Sequence, residues 1–186
     1  VAPALSHDAA ARWLSSVCQV RNPRVLQALM KAVELRGGVI VEDTEATRWN
    51  MAGGRVESVS TGRGEEYAAA NYVVTAGAWS GRLLHQLALK LDIWPVRGQI
   101  LLFRADPGLL DVIVLKEPEK FYLIPRRDGH ILAGSTLEDA GFDKGPTAEA
   151  REMLLAKARA LVPELTEDVL AAHWAGLRPG SLDNVP

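Results

Sequence analysis

Phe121-Tyr122-Leu123-Ile124-Pro125-Arg126-Arg127-Asp128-Gly129-His130-Ile131-Leu132-Ala133-Gly134 is the stretch that decides the fold. Two apolar runs flank Arg127-Asp128-Gly129, and an Asp-Gly pair between such runs is a β-hairpin signal because glycine takes the positive φ that a tight turn needs. Upstream, residues 96–103 form a strong strand pattern and 112–115 another. Downstream, a polar loop over 138–146 leads to Thr147, which can cap a helix carrying Met153, Leu154, Ala158 and Leu161. Pro163 cannot continue that helix. Residues 169–175 predict a further strand leading into Gly176-Leu177-Arg178-Pro179-Gly180. The second half therefore reads as an antiparallel sheet backed by one helix, with one face covered and the other open to a ligand.

The first half has a different grammar. Segment 6–17 fits a helix capped by Ser6 as well as a loop that packs Trp13 and Val17 on a core. A clearer helix has Asn22 as its N-cap, Pro23 at the first helical position and Leu26, Leu29, Met30 and Val33 on one face, with Gly37-Gly38 ending it. The β-branched run at 39–42 predicts a strand. Segments 44–49, 56–60 and 65–68, parted by glycine turns, predict a small antiparallel meander. Residues 72–75 are apolar on both faces, as in a buried parallel strand, and Ser80 predicts the cap of a helix through Leu83, Leu84 and Leu87. The fold class is α+β in two parts.

Composition narrows the function. The 186 residues carry a net charge of -2, with 48% hydrophobic and 24% charged residues, the balance of an ordinary globular chain able to bury a core. There is no basic stripe with interleaved aromatics for nucleic acid, and no apolar run approaches the roughly 20 residues needed to span a bilayer. Cys18, the only cysteine, cannot form an internal disulfide. It reads as a small buried hydrophobe in a reducing, cytoplasmic setting. The ends read as cut rather than finished. His7, His85, His130 and His173 lack metal-ligand spacing, so no metal is expected. Gly62-Arg63-Gly64 joins two meander strands and lacks the strand-to-helix context of a dinucleotide loop.

Two polar residues stand out. Arg178 sits in an apolar, glycine-flanked segment beside Trp174, where a charge needs a partner. That partner is either an internal Asp or Glu or a bound carboxylate, which the guanidinium fork matches. Tyr122 lies among Phe121, Leu123 and Ile124, either as a core aromatic with its hydroxyl on a backbone group or as a pocket wall.

Five segments in order resemble the D-amino-acid oxidase-like family of FAD-dependent flavoproteins. They are Val20-Arg21-Asn22-Pro23-Arg24, Tyr72-Val73-Val74-Thr75-Ala76-Gly77-Ala78-Trp79-Ser80, Pro95-Val96-Arg97-Gly98-Gln99, the 122–136 hairpin with Leu132-Ala133-Gly134-Ser135-Thr136, and Trp174-Ala175-Gly176-Leu177-Arg178-Pro179-Gly180-Ser181. The last is most similar to the glycine oxidase members, which feed thiazole synthesis in thiamine formation. The resemblance implies that residues 1–89 are part of an α/β FAD-binding region with a small meander. It makes 90–175 the antiparallel substrate-binding domain and 176–186 a return towards the FAD domain. It also implies that Arg178 grips the substrate carboxylate and that Tyr122 lines the pocket. Ala46, Ala76, Gly77, Trp79 and Gly98 then approach the FAD cofactor, with Arg97 and Gln99 as neighbours of the flavin ring side. The family's amino-terminal Gly-x-Gly-x-x-Gly loop is not in this sequence, so the piece alone is expected to bind FAD poorly and to be inactive.

The function implied for the parent protein is FAD-dependent oxidative deamination of glycine or another small amino acid or secondary amine, giving oxo acid, amine and hydrogen peroxide. The expected partner is that small substrate, with no nucleic acid and no membrane; a homo-oligomer stays open. No protein catalytic residue is expected. Alternatives are an FAD-dependent amino-acid dehydrogenase, a nucleoside-modifying relative, or a non-catalytic α+β binding module in which Arg178 is structural.

Overall fold

The computed structural model describes residues 4–5 and 11–182, and the Ser6 cap lies outside the described residues. The chain forms two compact units, one from 1–19 and 95–180, the other from 20–94 and 181–186. Both follow the expected α+β class.

The second of these units starts with helix α1, Asn22–Leu35. Asn22 is its first residue rather than its cap; Arg21 takes the cap position and no side chain caps the helix. Proline in the first turn costs nothing there, because its missing N–H would have no intrahelical partner. Strands β1 (Ala46–Ala52), β2 (Arg55–Thr61) and β3 (Glu66–Ala68) then form the expected antiparallel meander in the order β1-β2-β3. The β1–β2 turn places Gly53 at φ 55° and Gly54 at φ 76°, both on the left-handed side that a two-residue hairpin favours. A short 3₁₀ turn, Gly77–Trp79, leads into helix α2, Ser80–His85. Ser80 is helical, not the cap, and α2 stops short of Leu87.

The Gln86 side chain ties the end of α2 to strand β1. Its Oε1 accepts from the Trp49 N–H at 3.2 Å and its Nε2 donates to the Thr47 carbonyl at 2.9 Å. The Trp49 indole also donates to the Leu83 carbonyl at 3.0 Å and meets the Tyr72 ring edge-on, with centroids 5.4 Å apart.

Residues 39–42 and 72–75 are not strands. Apolar and β-branched side chains favour a strand where a neighbour completes the ladder. Among the described residues neither segment has one, and Val39 and Val73 are 85% and 84% exposed. Cys18 is exposed as well, in a segment without helix or strand, and is not a core residue.

The other unit is built on a five-stranded sheet ordered β5-β6-β7-β4-β8. Its strands are β4 (Ile93–Arg104), β5 (Val114–Lys116), β6 (Phe121–Pro125), β7 (His130–Gly134) and β8 (Leu170–Ser181). The pairs β5–β6, β6–β7 and β7–β4 are antiparallel. Strand β8 runs through the Gly-Leu-Arg-Pro-Gly segment, past the predicted end at 175. Helix α3, Ala148–Leu161, starts where the Thr147 hydroxyl accepts from the Ala150 N–H. It covers one sheet face, and Leu154, Ala158 and Leu161 bury against Leu101, Phe103, Phe121, Leu123, Ile131 and Ala133.

Leu154 is fully buried at the centre of this contact. Leu154→Ala should therefore cost about 2–5 kcal/mol, as lost burial plus a residual cavity, and lower the urea midpoint of unfolding accordingly.

Candidate functional site

Side chains alternate across a strand with period two, and this sorts the β4 residues between two different jobs. Leu101 and Phe103 go to the core under α3, while Gly98, Ile100 and Leu102 face the open side. The register lays Tyr122, Gly134 and Ile100 in one row on the open face and Ile124, Leu132 and Leu102 in the next. Arg178 reaches into this face from β8. Its Nη2 donates to the Thr136 carbonyl at 2.8 Å and to the Ser135 hydroxyl at 3.1 Å.

Two glycines make room for the two polar side chains. A β-carbon on Gly98 would run into the Arg178 guanidinium, lying 2.8 Å from Cζ. One on Gly134 would lie 2.8 Å from the Tyr122 hydroxyl oxygen and 2.9 Å from Cζ of that ring. The guanidinium and the phenol therefore pack directly against backbone. Gly134 pairs with Ile100, two residues along β4 from Gly98. The two seats are diagonal neighbours, about 7–8 Å apart. Arg178 forms no ion pair with an Asp or Glu among the described residues, so the internal salt bridge weighed from sequence is not found there.

Arg97 and Gln99 point the other way. Arg97 is only 8% exposed; its Nε and Nη2 hold Glu138 Oε2 at 2.8 and 2.6 Å, and its Nη1 holds Asp143 Oδ2 at 2.7 Å. Gln99 is fully buried. Its Nε2 donates to both Glu138 oxygens at 2.9 and 3.1 Å, and its Oε1 accepts from the Thr147 N–H at 2.9 Å. Of the three residues expected beside a flavin ring, only Gly98 faces the open side. Burial pushes the Glu138 carboxyl up, but hydrogen bonds from Thr136, Arg97 and Gln99 with the Arg97 charge outweigh it and hold the group below its ordinary value. His173, on β8, has its Nε2 buried without a hydrogen-bond partner among the described residues. Burial first, and the Arg151 charge second, push this imidazole below its ordinary value against the opposing pull of Glu138.

The other unit contains a cavity of about 530 Å³ lined by Ala46, Ala76, Trp79, Arg82 and Gln86 among others. Three of the sequence-predicted cofactor residues (Ala46, Ala76 and Trp79) meet there. Gly77, at φ 53° with nothing near its missing β-carbon, forms the turn between them. Sequence reading did not single out Ser135, Glu138 or Gln86 as site residues. The one available signal for Ser135 was the run of small residues Ala133-Gly134-Ser135 at the end of a strand.

An arginine seated on glycine, with half-buried apolar rows beside it, forms an open floor whose chemistry suits a small carboxylate. The chain belongs to the DAO family of FAD dependent oxidoreductases, whose model matches residues 1–186. It is 46% identical over 175 residues to a glycine oxidase of Pseudomonas aeruginosa and 47% identical over 175 residues to one of Pseudomonas putida. Each alignment takes in 94% of this chain and 47% of the relative. The crystal structure of glycine oxidase from Geobacillus kaustophilus superposes with a TM-score of 0.80 at 30% identity, over 88% of this chain and 44% of that one. The chain thus spans about half the length of these relatives. Among the described residues no helix is long and apolar enough to cross a membrane.

Two outcomes follow from the geometry. The three atoms nearest a β-carbon added in Gly98→Ala all belong to the flexible end of Arg178. Unfolding stability should therefore change by less than about 1 kcal/mol, while the Arg178 Nε–H resonance shifts in a nitrogen-proton NMR spectrum. The second concerns acid. The folded His173 and Glu138 values both lie below their ordinary 6.5 and 4.5, so at falling pH the unfolded chain takes up protons that the folded chain refuses. Stability contributed by His173 is complete above about pH 6.5, and that of Glu138 above about 4.5; each is lost as pH falls through the folded value. The urea midpoint should decline in two stages on acidification, and His173→Gln should flatten the first.

Proposed function

We propose that the protein carrying this chain is an FAD-dependent oxidase of glycine or another small amino acid or secondary amine. The observation that carries the reading is Arg178, laid on Gly98 and held by Thr136 and Ser135 on the open sheet face without a carboxylate partner among the described residues. The likeness to glycine oxidases supports the substrate class.

The residues present fit FAD. A 530 Å³ cavity is in the size range of small-ligand sites. The small side chains of Ala46 and Ala76 and the bare turn at Gly77 let backbone come close to a ligand. We assign Ala46, Ala76, Gly77 and Trp79 to the flank of the cofactor, and give Gly98 its part through the seat of Arg178. FAD, when bound, supplies the hydride acceptor, and oxygen restores it with release of hydrogen peroxide.

The chain's own contribution is binding and orientation. Arg178 takes the substrate carboxylate, which fixes one end of the molecule and so limits where the α-carbon can lie. The Tyr122 hydroxyl, over Gly134, offers a polar contact one diagonal away. Ile100, Leu102, Ile124 and Leu132 cover the surrounding floor and exclude water. A substrate amine that enters neutral needs no protein base. Loss of its α-hydrogen as hydride would leave an iminium, which water would hydrolyse to an oxo acid and an amine.

The full-length protein should show flavin absorbance and release peroxide with glycine. Arg178→Ala should cost about 2–5 kcal/mol of carboxylate binding, as expected when one partner of a close charge pair is removed, seen as a rise in KM of thirtyfold or more. Unchanged kinetics towards amino acids in that variant would sink the assignment.

A further inference from the structure

We propose that Ser135 is a second ligand for the substrate carboxylate, a hydroxyl donor that Arg178 positions. This rests on the reading of Arg178 as the carboxylate holder. A guanidinium has five N–H groups, two of them on Nη2. Both are committed to the protein, one to the Thr136 carbonyl and one to Ser135 Oγ. The two forks that a guanidinium can offer a carboxylate, Nη1 with Nη2 and Nε with Nη2, each draw on Nη2. Neither fork can close on a ligand without breaking a bond that the folded chain makes. What remains on Arg178 is the Nε–H and the two Nη1 hydrogens, none with a partner among the described residues.

The missing second donor is supplied by Ser135. A hydroxyl has one hydrogen to give and two lone pairs to receive with. Ser135 Oγ receives from Arg178, so its hydrogen is directed away from the cation, and it has no acceptor among the described residues. A hydroxyl that accepts from a cation is also a better donor, because the bonds polarise one another. A carboxylate bound here sets one oxygen on Nη1 or Nε and the other on the Ser135 O–H. The placement is firm. Next to Ser135, Thr136 Oγ1 accepts from the Gln99 N–H at 2.9 Å, and the backbones of Arg97 and Glu138 exchange hydrogen bonds at 2.9 and 3.0 Å. On the other side, Gly134 lies under the Tyr122 ring. Ser135 is thus anchored on both sides while its hydroxyl faces the open floor.

The ligand class is a small aliphatic carboxylate; an amide of the same shape lacks the two equivalent acceptors. The test uses the full-length flavoprotein, with acetate as an unreactive probe read by the flavin absorbance and glycine as substrate. Ser135→Ala should weaken acetate binding about tenfold or more, in the range of a hydrogen bond to a charged group. It should raise KM for glycine by a similar factor while kcat falls less than threefold, and Ser135→Thr should recover most of the loss. If Ser135→Ala does not retain flavin, Ser135→Gly removes the same hydroxyl without adding bulk. Arg178→Ala separates this proposal from the reading beneath it. Acetate binding unchanged in Arg178→Ala overturns that reading. Acetate binding lost in Arg178→Ala but unchanged in the Ser135 variants overturns the role of Ser135 alone.

Discussion

Arg97 cannot be buried alone, and much of its unit is arranged around that fact. Taking a guanidinium out of water is costly unless charge and hydrogen bonds replace the lost hydration. Glu138 and Asp143 supply the charge, and the Gly145 carbonyl another acceptor. Both acids lie beyond β7, so pairing them draws the 136–147 segment back along β4. Two results come from this one constraint. Gln99, buried beside the pair, receives the Thr147 N–H at the point where α3 begins. Thr136 and Ser135 are brought to where Arg178 can donate to them. The pairing of buried Arg97 on one face of β4 thereby fixes the seat of Arg178 on the other.

That arrangement explains which parts of this unit were legible in sequence. The hairpin 121–134, the capped helix after Thr147 and the apolar rows are local patterns, since turn chemistry and period-two alternation act over a few residues. Arg178 and Tyr122 could be singled out as polar groups in apolar company, but not placed. Their seats are glycines 80 and 12 positions away in sequence, and nothing local tells a glycine that bears a guanidinium from one that only turns the chain. Arg97 and Gln99 show the same limit. A strand presents alternate residues to opposite faces, so the motif Arg97-Gly98-Gln99 belongs to two environments, and treating it as a single neighbour of one ligand merged them.

The other unit shows the reverse. Its meander was readable because each glycine turn closes a local pair, whereas 39–42 and 72–75 carry strand composition without forming strands. Strand propensity is fitness for a ladder, and a ladder needs a second chain segment. Among the described residues none pairs its backbone with these two as a strand, and Val39 and Val73 stay in water. What holds the region is polar: Gln86 on the backbone of β1, and Tyr72 donating to the Glu57 carbonyl at 2.7 Å while accepting from the Ala69 N–H.

The two glycine seats have a consequence for how such a floor diversifies. The separation of the guanidinium and the phenol is set by strand spacing, a quantity that side-chain exchange does not alter. Ile100, Leu102, Ile124 and Leu132 are ordinary aliphatic residues on the same surface, free to change volume without touching that spacing. The spacing of the two polar groups is thus written in backbone, and the shape of the surface beside them in side chains. Substitutions among the four aliphatic residues remodel that shape one at a time, while the guanidinium and the phenol keep their distance.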